Sequence, residues 1–253
     1  MDDSKDQPEA RQDVVHRAQH LAKDAAQMLP AWLQPGNPES RWPVLVALIS
    51  AIVMQGAIPR RYTVVPRWPL LAMEVALLVV LLIINPVRLT RATRLGKAAS
   101  LLLLAAITID NTASAVVLDY HIVTGTVSND AALLLGSGAA VFITNIIVYG
   151  IWYWEIDLGG PFARAGVTER TPERRYPDFL FPQMSGLARN LAPSDWEPRF
   201  FDYLYTSLTN VMAFSPTDTM PLTRRAKAMM ALQALVAVST IALVFARAVN
   251  VLR

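Results

Sequence analysis

Four polar side chains fall inside long apolar runs, where hydrocarbon makes them costly and each one asks for a reason: Glu74, Asp110, Asn111 and Asn145. Glu74 stands among Leu71, Met73, Val75 and Leu77, about two turns from Trp68 and so within reach of an interface. Asp110 and Asn111 open a cluster with Thr112 and Ser114 near the middle of one run. Thr144 and Asn145 lie at comparable depth in the next, and Gln233, Ser239 and Thr240 in the last. Two chemistries fit these residue types. One is an ion or proton site built on Asp110 and Asn111, joined by Asn145 and Glu74. The other is hydrogen-bonding glue between helices, with Asp110 satisfied by a partner or protonated.

Other chemistries are poorly provided for. The chain has no cysteine, which removes disulfides, thiolate metal sites and cysteine nucleophiles. His16, His20 and His121 are too few and too scattered for a metal site. Glu155, Asp157 and Asp178 offer carboxylates to a cation, but they flank a helix end, where such charges are expected to stay wet. No nucleophile elbow, phosphate-binding loop, zinc-protease motif or paired catalytic carboxylate occurs, so the expectation is no enzyme, no cofactor and no metal. A formal net charge of +3 is too small to argue for nucleic acid.

The elements that position the polar groups follow from composition. Of 253 residues, 53% are hydrophobic and 17% charged, against roughly 25% charged in a soluble domain. The missing charge is absent from five blocks and concentrated between them. The expected fold is all-α, a polytopic membrane protein of about five transmembrane helices with the lipid bilayer as its partner. Spans are read at 42–59, 68–86, 98–123, 131–154 and 226–251, the fourth closing on Trp152-Tyr153-Trp154 as an interfacial aromatic belt. A polar tail, 1–41, precedes the block of four spans at 42–154. Within it Val14, Ala18, Leu21, Ala25, Met28 and Trp32 recur at helical spacing, which predicts an amphipathic helix over 13–33, lying on the membrane surface with Trp32 as anchor or packed on a soluble partner. The acidic opening Met1-Asp2-Asp3 does not read as a signal peptide, so insertion is expected to use the first span. Residues 155–198 are rich in proline and charge and read as an irregular extramembrane loop.

Residues 199–253 form the last unit. From Arg199 to Met212 the chain is aromatic, hydroxyl-rich and too short to span. It breaks at Pro216 and Pro221, and the final span follows within a few residues. Short helix, extended stretch and long helix are the parts of a re-entrant loop, allowed at membrane depth only where protein buries it or water lines it. This run resembles the pore module of tetrameric potassium channels: pore helix, glycine filter, proline, inner helix. Asp202, Leu204, Tyr205, Ser207, Asp218 and Pro221 match the commonest residues of bacterial examples without a gap. The filter positions depart, reading Ala213-Phe214-Ser215-Pro216-Thr217. Ser215 and Thr217 replace both glycines and Pro216 fixes its own φ, so a potassium filter of the usual geometry is not expected.

A second resemblance covers roughly residues 40–253. Gly159-Gly160, Asp178-Phe179-Leu180-Phe181-Pro182, Phe201-Asp202-Tyr203-Leu204-Tyr205 and Ser215-Pro216-Thr217-Asp218 are similar to a bacterial membrane-protein family of unknown function that keeps the pore-like frame without its glycines. These resemblances imply a multi-pass protein of the cell (inner) membrane, a homo-oligomer on a tetrameric plan, channel-like and weakly selective for monovalent cations. Its lining would be Thr206, Thr209, Ser215, Thr217 and Asp218. The alternative is a non-conducting scaffold or sensor that has kept the pore-like fold; a small-solute carrier or membrane enzyme would rest on the Asp110 cluster alone. Orientation stays open, because the basic loop with Arg88, Arg91, Arg94 and Lys97 and the channel analogy place opposite faces in the cytoplasm.

Overall fold

The structure is a computed structural model that describes residues 30–63, 67–84, 92–127, 130–168, 176–212 and 218–251. Four long helices come first: α1 (Trp42–Ala57), α2 (Arg67–Ile84), α3 (Arg94–Val123) and α4 (Ala131–Ile156). Short elements follow: α5 (Pro161–Arg164), β1 (Phe179–Leu180), α6 (Gly186–Leu191), α7 (Phe200–Met212) and β2 (Met220–Pro221). The closing element is α8 (Arg224–Val251). Most of the amphipathic helix expected over 13–33 lies outside the described residues; its end, Ala31–Leu33, is a 3-10 turn with Trp32 against the core.

Helix ends carry local reasons. Thr93 Oγ1 accepts from Gly96 N at 3.0 Å to start α3, and Asp130 Oδ1 accepts from the backbone of Ala132 and Leu133 to start α4. Pro43 sits in the first turn of α1 and Pro59 follows its end. Arg94–Val123, Ala131–Gly159 and Arg224–Val251 are long and apolar enough to cross a membrane. α1 and α2 are shorter but equally apolar. Val46, Ile49 and Val53 on α1, Val79 and Ile83 on α2, and Leu102, Ile109 and Val116 on α3 all point outward. Such a band is costly in water and matched to lipid, in keeping with three helices long and apolar enough to cross a membrane.

α4 is the hub, packing against α1, α3, α7 and α8. It leaves its helical path at Leu158, Gly159 and Gly160, with φ of 53°, 89° and 93°. Only glycine takes that left-handed run without steric cost, which explains the Gly-Gly pair. Leu158 tolerates it because its side chain is fully buried there. The loop beyond is ordered by rings. Phe179 packs against Tyr153 with ring centroids 5.0 Å apart and the planes tilted by 50°, and Phe181 meets Tyr203 edge-on at 5.3 Å. Two residues of β1 pair antiparallel with β2, Phe179 opposite Pro221 and Leu180 opposite Met220.

Candidate functional site

Where α4 ends, charges expected to stay wet are fully buried. Asp157 and Asp178 are both 0% exposed. Asp157 accepts from Tyr203 Oη at 2.6 Å and from Asp178 N at 2.6 Å. Arg164, 6% exposed, donates to the carbonyls of Trp154 and Asp157 at 2.8 and 2.9 Å and to Glu39 at 3.2 Å. Its guanidinium also lies 5.1 Å over the Tyr203 ring. Burial opposes that charge, but Tyr203, Glu39 and Asp157 outweigh it and raise the arginine's pKa. Burial also pushes the Tyr203 phenol well above its ordinary value, so the hydroxyl keeps its proton and remains the donor. Asp178, in turn, is gripped by Arg225 and Thr223 at the start of α8. This network ties the chain before α1, the end of α4, the loop, α7 and α8 into one end of the bundle.

Below it, α7 is held along α4. Ser207 Oγ donates to Ile146 O at 2.7 Å. Ile146 lies ten residues (156 − 146) before the end of α4, about 15 Å along the helix. Gln233, nine residues (233 − 224) into α8, donates to Ser207 Oγ at 2.7 Å. Its carbonyl oxygen accepts from Asn210 Nδ2 at 2.9 Å and from Tyr153 Oη at 2.6 Å. Measured on either long helix, α7 therefore reaches well below their ends. Gly150 makes this possible, because a Cβ there would come within 3.0 Å of Leu204 Cα. When the described chain resumes, Thr219 lies beside the middle of α7, where Thr206 Oγ1 bonds its Oγ1 at 3.3 Å, and Met220 and Pro221 reach the end of the bundle by pairing with Leu180 and Phe179.

The predicted residues scatter over this frame. Ala213, Phe214, Ser215, Pro216 and Thr217 lie outside the described residues. Asp218 is exposed. Thr209 Oγ1 turns back onto its own helix, to the carbonyls of Tyr205 and Thr206 at 2.9 and 3.1 Å, and Thr206 does the same to Asp202 O at 2.8 Å. Asp110 is met by Gln55 Nε2 of α1 at 2.9 Å, while Asn111 faces inward on the buried stripe of α3. These two neighbours in sequence thus serve different interfaces. Asn145 is buried on α4, and Glu74 is 0% exposed on α2. The aromatic triplet is no lipid-facing belt: Tyr153 and Trp154 are buried, and Trp154 Nε1 donates to Glu39 at 3.0 Å. Among the described residues no group of three or more His, Asp or Glu is placed to share a metal.

Glu39, Gln55 and Arg164 went unread in the sequence. All three are polar residues in ordinary loop or helix contexts, and their partners lie far along the chain. Asp178-Phe179-Leu180-Phe181-Pro182 did carry a signal, since an acidic residue leading an aromatic alternation is unusual for a solvated loop. No family model, curated protein or solved structure matches this chain.

Proposed function

We propose that this chain is a channel-like, oligomeric protein of the cell membrane. It has five spans, a re-entrant segment at 202–221, and a tetramer as its expected assembly. The observation that carries the reading is the seat of α7: it reaches a level about 15 Å below the end of α4, half of a hydrocarbon layer about 30 Å thick, and by residues 220–225 the chain is back at the end it left. The order of α4, α7 and α8 is that of outer, pore and inner helices. α7 buries Tyr203, Ser207 and Val211 against them and exposes Phe201, Tyr205, Leu208 and Met212 at spacings of four, three and four. That stripe supports a neighbouring copy on its outer side.

Thr206 is 2% exposed and Thr209 turns onto its own helix, so the oxygen donors proposed for a conducting path are Ser215, Thr217 and Asp218. Hydroxyls and one exposed carboxylate attract monovalent cations and discriminate weakly, since no ring of carbonyls replaces the ion's hydration. The test is flux of potassium and sodium through proteoliposomes, with Asp218→Asn beside the parent. A cation leak that falls in the variant is expected. No leak in either protein would leave the non-conducting scaffold, organised by the Arg164–Asp157 network, as the function.

A further inference from the structure

A cavity lies at the same end of the bundle as the Arg164 network, among the start of α1, the end of α2, the start of α3 and the end of α4. Among the described residues none of α7 or α8 lines it, so it stands apart from the re-entrant segment. It has two parts. The inner part is narrow, about 40 Å3, with walls of Val44, Leu48, Leu81, Leu103, Leu104 and Ile151. The outer part is a wider cleft of about 190 Å3 that Arg94 lines. Thr93, Lys97, Glu155, Pro161 and Phe162 belong to both, so the two adjoin.

Polarity changes along the helix axes. Arg41 immediately precedes α1, Thr93 caps α3 and Glu155 lies in the last turn of α4, so these residues mark the level where the apolar runs begin and end. Leu48 is seven residues (48 − 41) beyond Arg41 and Leu104 seven (104 − 97) beyond Lys97, about 10 Å deeper by the helical rise. Among the described lining residues the cations are Arg41, Arg94 and Lys97, against one carboxylate, Glu155. Arg94 and Lys97 are exposed at the rim. Arg41 is 6% exposed within, and its Nη1 donates to Leu81 O. Burial lowers the Arg41 pKa, and a bound anion would favour the charged form again.

A soluble anion matches the rim alone. It would leave the leucine-walled space beneath it unfilled, and such a space prefers carbon to water. That inner part admits about three methylene-sized groups, enough for the first carbons of an acyl chain. α1 packs mainly on α4 and α2 mainly on α3, so the looser seam between α1 and α2 gives the rest of the chain a way out to the bilayer. We infer that this cavity binds one anionic phospholipid, its phosphate held by Lys97 with Arg41 and Arg94, and the start of one chain lodged among Leu48, Leu81 and Leu104. Any basic residue near a membrane surface attracts anionic lipid. What distinguishes this place is a buried arginine beside an apolar pit, a pairing of charge and hydrocarbon that only an amphiphile satisfies at both ends.

The test uses full-length protein stripped of lipid in detergent, with dioleoylphosphatidylglycerol as the probe and native mass spectrometry as the readout. One molecule per chain is expected to survive a collision energy that removes all others, while dioleoylphosphatidylcholine is not retained. Lys97→Glu, at an exposed position that folding tolerates, should weaken the retained lipid about tenfold. Ser100→Leu keeps every charge but fills the inner part, which Ser100 lines, and should weaken it too. Lys227→Glu, an exposed lysine at the start of α8 outside the cavity, should leave it unchanged. Millimolar inorganic phosphate should not displace the lipid. Equal retention of the two lipids, or displacement by phosphate, overturns the inference. So does parental retention in folded Lys97→Glu or Ser100→Leu protein, or an equal loss in Lys227→Glu, which would mean surface attraction only. None of these readouts involves ion flux, so the outcome is separate from that of the channel reading.

Discussion

Arg164 holds a full charge where water does not reach, and its surroundings are built to keep it. Two backbone carbonyls, the Glu39 carboxylate and the face of Tyr203 enclose it. Removing one partner of such a buried network leaves the other charge uncompensated, which costs about 3–5 kcal/mol. Arg164→Met is therefore expected to lower the melting temperature in detergent sharply; an unchanged melt would show that the network carries little stability. Gln233 serves α7 in the same way with neutral groups. Gln233→Leu strands the Tyr153 hydroxyl, at about 1–3 kcal/mol for a buried group left unsatisfied, and cuts the ties of Ser207 and Asn210 to α8 through this amide. Amide exchange over residues 200–212 should quicken, while the ends of α3 stay as protected as before. Asp157 and Asp178 show what a sequence hides at this scale. A carboxylate beside a helix end reads the same whether it faces water or a tyrosine hydroxyl 46 positions away.

At the scale of elements, the helices begin and end close to the limits of the apolar runs, because caps and prolines are local. The placing of α7 is not local. It depends on Gly150, where α4 lets the backbone of Leu204 approach, and Gly150→Val puts side-chain atoms into that contact. Overpacking of this kind costs about 1–3 kcal/mol, and the expected result is a lowered melt with faster exchange in α7. The β1–β2 pairing is a second non-local device, tying the loop after α4 to the strand before α8. The chain has no cysteine, so Leu180→Cys with Met220→Cys gives an unambiguous readout. Opposed residues of an antiparallel pair lie within disulfide reach, so oxidation should link the two and alter gel mobility only until reductant is added. Failure to cross-link in folded protein would refute the pairing.

At the scale of the whole molecule, the outward stripe of Phe201, Tyr205, Leu208 and Met212 separates an assembly from a monomer. Under the oligomeric reading Tyr205→Arg places a charge in a subunit contact, and native mass in detergent should fall from the assembled form to a single chain. A parent protein that is already monomeric would remove the central axis and with it the proposed pore. The mostly helical architecture and the helices apolar enough to cross a membrane could be read from the chain alone, for a simple reason. In hydrocarbon the backbone must satisfy its own hydrogen bonds, and an apolar run of about twenty residues has one way to do so. Which polar groups meet was decided only by tertiary structure. Arg164 finds Glu39 across 125 positions, and Asp110 finds Gln55 across 55, while Asn111 turns to another seam. Those meetings depend on the rotation and register of packed helices, which arise from close packing between distant segments and leave no periodic mark on any one of them.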